Sequence, residues 1–144
     1  MDEAENRVYF YKWGGGGWSK YGDSLDNNKL GEYNWCAAFV SWCARKAGVP
    51  TSKLPTNANA SMNCNSSYWR DNDGSFIPSE GDIIFYGSSK TSINHVGIVY
   101  DITPATANKP TRVHTIEGNT NMGCVATQDY EITKSNILGF CDIY

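Results

Sequence analysis

One helical pattern followed by a run of strands predicts an α+β fold for this chain. Cys36, Phe39, Val40, Cys43 and Ala47 keep the i, i+3, i+4, i+7, i+11 spacing of one buried helical face, and Gly48 with Pro50 supplies the stop. Short runs rich in β-branched and aromatic residues follow at 83–86, 94–100, 112–119 and 137–143. At 144 residues the chain has the length of one domain, read as spanning 1–144, large enough for a core without metal or disulfide staples.

Taken in order, Arg7 to Trp13 leads into four glycines, Gly14 to Gly17, which predict a short helix that breaks or a loop, because glycine costs about 1 kcal/mol per helical position. Tyr21 to Lys29 reads as a solvated turn. The helix then begins at Cys36, in a first turn whose backbone N–H groups lack acceptors and whose dipole end is positive. Both favour an anionic, nucleophilic sulfur. A cysteine on such a helix is ordinary core unless a base faces it, and Cys43, one face-turn on, is read as core. Thr51 to Ser79 is rich in Asn, Ser, Asp and Pro and reads as mostly loop, with a short helix near Ala58 to Cys64.

Pro78 to Asp82 reads as a turn into the buried strand Ile83 to Tyr86, and the polar stretch Gly87 to Ser92 leads to a second strand, Asn94 to Tyr100, with His95 at its start. Gly97 shares the face of His95 and leaves room beside the ring for a close approach. His95 is therefore the base candidate. After a hairpin loop, Pro104 to Pro110, side chains alternate along the strand Arg112 to Asn119, so that Thr115, Glu117 and Asn119 share one face and His114 takes the other. Glu117 can accept the second ring N–H of His95, as the third member of a triad does, and Asn119 can do the same without charge. The last strand is read as Ile137 to Ile143.

A net charge of −3 provides no basic stripe for nucleic acid, and no apolar run has membrane-spanning length. Five cysteines, at 36, 43, 64, 124 and 141, allow one free thiol and two disulfides without fixing the pairing. Neither the cysteines nor the two histidines have the close ligand spacing of a zinc site. Trp13, Trp18, Tyr21, Tyr33, Trp35, Tyr68 and Trp69 all fall outside the expected strands; some pack the core, and Trp18, Tyr33 and Trp35 are the candidates to wall a substrate groove.

Four segments carry a family resemblance: Trp35 to Val40, Gly81 to Phe85, Asn94 to Val99, and Glu117 to Asn119. In this order they resemble the CHAP domain (cysteine, histidine-dependent amidohydrolase/peptidase) of the NlpC/P60 superfamily, over about Trp18 to Tyr144. The resemblance implies Cys36 as nucleophile, His95 as base, Glu117 as orienter and Asn119 as a fourth polar member. It also implies a papain-like fold, an N-terminal helical part packed on an antiparallel sheet. The substrate it implies is bacterial peptidoglycan, cut at an amide bond by an endopeptidase or an N-acetylmuramoyl-L-alanine amidase, as in phage endolysins or autolysins. Some members bind calcium before the cysteine, but Asp23 and Asp26 lack regular ligand spacing, so neither metal nor cofactor is expected. The acidic start, Met1 to Asn6, has no signal-peptide pattern, and Tyr144 directly follows the last strand. A secreted or cell-wall location is then expected through phage release, or as a domain excised from a longer protein, with any wall-binding domain or subunit elsewhere. An amide hydrolase of a non-wall substrate, or a non-catalytic wall-binding module, are the alternatives.

Overall fold

The computed structural model describes residues 35–54, 64–120 and 124–143. Its one described helix, α1 (Cys36–Lys46), starts at the expected cysteine, with Trp35 as N-cap. The first helical bond runs from Phe39 N–H to the Trp35 carbonyl, 3.0 Å. The C-terminus is closed as Gly48 foretold. Gly48 takes φ 78°, its N–H donates to the Arg45 carbonyl and that of Val49 to Ala44, the paired bonds of a Schellman motif. Because the helix stops at Lys46, Ala47 is an exposed cap rather than the last residue of the buried face. The first turns are buried on more than one side: Ala37, Ala38 and Ser41 are as inaccessible as Phe39 and Val40.

Among the described residues six antiparallel strands follow: β1 (Trp69–Asp71), β2 (Ile83–Ser89), β3 (Ser92–Thr103), β4 (Arg112–Thr120), β5 (Cys124–Glu131) and β6 (Ile137–Cys141). They form one sheet in the order β1-β6-β2-β3-β4-β5. Two of these strands are absent from the sequence reading. β5 alternates polar residues toward solvent and carries too little apolar signal, while β1 is three residues long and is fixed by pairing Trp69 with Cys141 rather than by local propensity. Trp69 therefore lies within the sheet. Its ring sits on Gly139, where a Cβ would come within 2.5 Å of the indole. β6 ends at Cys141, two residues before the expected end, because the chain leaves the ladder: Asp142 N–H donates to the Tyr68 carbonyl and Ile143 N–H to the buried carboxylate of Asp82.

The sheet separates two apolar clusters. Trp35, Phe39 and Val40 of α1 pack with Ile83, Phe85, Val96, Ile98 and Ile116 on one side, and Ile84, Tyr86, Val99, Val113 and Phe140 form the other. Close seating of α1 depends on Gly118, since a Cβ there would lie 2.5 Å from that of Phe39 and 2.9 Å from the Trp35 ring. Cys64 and Cys141 form a disulfide that ties the segment before β1 to β6, and Cys36 and Cys43 are free and buried. Cys43 thus has the core role expected of it. The 58–63 part of the expected short helix lies outside the described residues.

The disulfide spans 77 residues, so the chain-entropy argument gives it about 4 kcal/mol of stabilisation. Replacing Cys64 and Cys141 together by alanine should lower the urea-unfolding free energy by that order, with m rising as the unfolded chain expands.

Candidate active site

Three strands and the helix start converge on one imidazole. Tyr86 of β2 lies directly opposite His95 of β3, and Ile84 opposite Gly97. On the other side of β3, Ile98 pairs with Ile116, which brings Gly97 opposite Glu117 of β4. The Glu117 side chain lies across Gly97: a Cβ at that glycine would stand 2.7 Å from its Cγ and 3.3 Å from Oε1. The room foreseen at Gly97 is filled by the carboxylate, which reaches His95 with Oε2 2.7 Å from Nε2. The other oxygen, Oε1, accepts hydrogen bonds from the Tyr86 phenol and the Thr115 hydroxyl, each at 2.7 Å.

Irregular pairing aims these groups. Between Tyr86 and Gly87 the β2–β3 register slips, leaving Asn94 as an extra residue just before His95. Such a bulge turns the following side chain and sharpens the local twist. A second slip separates Glu117 from Thr120 in the β4–β5 pairing, and Asn119 there takes φ 55°, the left-handed conformation that asparagine tolerates better than most residues. The strict alternation that put Asn119 on the Glu117 face is interrupted at this point. Glu117 supplies the carboxylate at His95, and Asn119 is half-buried beside the slip.

Cys36 approaches from the helix. It is 1% exposed and shares a hydrogen bond with His95. Since Nε2 faces Glu117, the ring nitrogen toward the sulfur is Nδ1. Among the described residues no acidic side chain lies in the first turn of α1 and none caps it, and the positive end of the helix dipole is directed at the sulfur. Burial opposes a charge on His95, but hydrogen bonds to Cys36 and Glu117, with the attraction of both, outweigh it and push the imidazole up to about 9. The imidazolium is therefore the form held at neutral pH, beside the Cys36 sulfur. Glu117 is 0% exposed; burial, with the charge of Glu117 added, pushes the nearby Tyr130 up to about 12 and Tyr86 well above the usual phenol range.

Of the remaining sequence candidates, His114 is elsewhere, its Nε2 2.7 Å from the Thr103 hydroxyl and its Nδ1 3.6 Å from Asp129. Trp35 is not a groove wall. It is 1% exposed and wedged between α1 and Gly118, because the first residue before a buried helix turn has the strand beneath it. Trp18, Tyr33 and the Tyr21–Lys29 stretch lie outside the described residues. Tyr86 and Thr115 were missed as site residues. Placing a two-residue turn at Lys90-Thr91 in the β2–β3 hairpin puts Tyr86 opposite His95, so the signal was present in the hairpin register. A cavity of about 570 Å³ is lined by Cys64, Ser66, Trp69, Lys90 and Ile93; its apolar walls pack into the same cluster as Cys36.

Gly97→Ala should push the carboxylate off His95, and an NMR titration should find the imidazole falling from about 9 toward the ordinary 6.5. The stability consequence has a definite sign. A histidine raised on folding contributes stability that is fully present below 6.5 and is lost as pH rises through about 9. Urea midpoints should fall across that window, and His95→Gln should flatten the slope.

The family model described as the CHAP domain matches residues 28–119, more than half of the chain. No curated protein matches the sequence. Among solved structures, the chain is similar to the crystal structure of Ly7917, with 20% identity and a TM-score of 0.51 over 99% of this chain. It spans 61% of the Ly7917 chain. A second crystal structure, of Ly7917 with the hydrolyzing product of MDP, superposes with 20% identity and a TM-score of 0.46 over 99% of this chain and 62% of that one. The first of these likenesses bears on the fold alone; the family match, which runs from before the helix to the end of the Glu117–Asn119 segment, places this chain in the CHAP domain family.

Proposed function

We propose that this chain is a cysteine hydrolase that cleaves an amide bond of bacterial peptidoglycan, in the peptide stem or cross-bridge or at the N-acetylmuramoyl-L-alanine link. The observation that carries this reading is the alignment of Cys36, His95 and Glu117, with a buried carboxylate 2.7 Å from one imidazole nitrogen and the helix-start sulfur at the other. CHAP family membership supports the hydrolase class.

In this mechanism the Cys36 thiolate adds to the scissile carbonyl, and the oxyanion is met by the Cys36 backbone N–H at the dipole end of α1. The His95 imidazolium then gives its Nδ1 proton to the departing amine, so that the C–N bond breaks and a thioester remains. Neutral His95 next takes a proton from water, hydroxide adds to the thioester, and the sulfur leaves as thiolate opposite a restored imidazolium. Glu117 stays ionised throughout and keeps the ring in place. Asn119, at the β4 bulge, is the proposed fourth polar group, and the cavity at Trp69 and Ile93 is where we seat the peptide. The fold we infer for residues 1–144 as one catalytic domain is papain-like, working at the cell wall in the manner of a phage endolysin or autolysin.

Mass spectrometry of fragments released from purified peptidoglycan tests the reading, because a new N-terminus reports the bond cut. Cys36→Ala should abolish release, His95→Ala should lower it by about 10²–10⁴-fold, and His114→Ala should stay close to wild type. Release by a folded Cys36→Ala variant would remove the nucleophile; a wild-type protein that releases nothing would turn the search toward non-wall amides or simple wall binding.

A further inference from the structure

Glu117 is a fully buried carboxylate with three donors and no water-facing surface. Its environment comes from every element around it. His95 reaches it from β3, Tyr86 from β2, Thr115 along its own strand and Tyr130 from β5 through space, while Cys36 of α1 stands beyond the imidazole. The two hydroxyls converge on Oε1 alone, and Oε2 is left to the imidazole. Tyr86 also lies against the His95 ring, with centroids 5.4 Å apart.

We infer that Tyr86 and Thr115 are positioning residues that keep the His95 nitrogen facing the sulfur, Nδ1, able to accept its proton. The inference rests on Cys36 as the nucleophile. A carboxylate with no water around it is costly to keep charged unless donors satisfy it. If Glu117 took up a proton, it would donate to Nε2 instead of accepting from it. The neutral imidazole would then carry its proton on Nδ1, facing Cys36, and could no longer receive the proton of the thiol. Two hydroxyls on Oε1 stabilise the ionised carboxylate and also fix its plane, with the side chain seated against Gly97. With them in place the neutral ring keeps its proton on Nε2, and Nδ1 can take up the thiol proton to give the imidazolium. Neither residue touches the reacting atoms; each acts through Glu117.

Alkylation of Cys36 by iodoacetamide, assigned by peptide mass spectrometry and followed from acid to alkaline pH, reads this directly and needs no substrate. Tyr86→Phe and Thr115→Val remove one oxygen-borne donor each and keep most of the packing. Each should slow alkylation on the acid side by about tenfold, the cost of one hydrogen bond to a charged group, and shift the acid limb up by about one pH unit. The double variant should go further, and Thr115→Ser, which retains the hydroxyl, should stay near wild type. An acid limb unmoved in a folded Tyr86→Phe or Thr115→Val protein overturns the inference, as does a loss in Thr115→Ser equal to that in Thr115→Val. Should Tyr86→Phe fail to fold, Thr115→Val decides by itself. A protein whose alkylation responds in this way yet releases nothing from cell walls would overturn the substrate reading and leave this one standing.

Discussion

A carboxylate with no exposed surface sets the terms for the rest of this molecule. Among the described residues Glu117 is the only charged one in the group of largest fully buried side chains, and imidazole, phenol and hydroxyl donors surround it. Removing any one donor from a dry carboxylate costs more than the hydrogen bond is worth in water, since nothing replaces it. That constraint reaches outward. It requires a residue without a Cβ at Gly97, a phenol at the matching row of β2, and a small hydroxyl two residues back on β4. Three neighbouring strands are thereby committed to one oxygen pair.

The helix meets this arrangement from the opposite cluster. Its first turn is small and buried, Ala37 and Ala38 following Cys36, and Gly118 on β4 lets Phe39 and Trp35 come close. Gly97 and Gly118 thus do complementary work on successive rows: one admits a carboxylate on one face of the sheet, the other admits a helix on the other. Glu117 joins the two, with its side chain on Gly97 and its place in the strand just before Gly118. The Schellman motif at Gly48, with Arg45 and Lys46 in the last turn, satisfies the far end of α1 and leaves the near end to act on the sulfur.

Much of this was legible in the sequence, for reasons specific to each residue. The start of α1 at Cys36 followed from helical spacing, and the division of Glu117 from His114 followed from the two-residue period of a strand. Both are local regularities. What escaped depended on registers between strands. Tyr86 becomes a site residue only through its position opposite His95, Trp35 became core only because Gly118 lies against it, and Trp69 joined the sheet only by pairing with β6. Asn119 stands where the two-residue period is interrupted, at a β4–β5 slip and with a left-handed backbone that no single-strand pattern records. The disulfide belongs with these cases, because its partners are 77 residues apart and meet only once β6 has found its place.

Several pairing slips lie beside Tyr86, His95 and Glu117, the first two on one row and the third two residues along, opposite Gly97. β2 slips against β6 at Phe85/Tyr86 and against β3 at Tyr86/Gly87, and β4 slips against β5 after Glu117. For anyone transplanting this chemistry into another scaffold, copying the side chains at the same spacing onto a regular ladder would not suffice. An evenly pleated sheet would leave the imidazole and the carboxylate pointing along parallel normals, and a helix laid across it would find no nucleophile partner within reach. The portable unit is the distorted corner of the sheet, glycines and extra residues included.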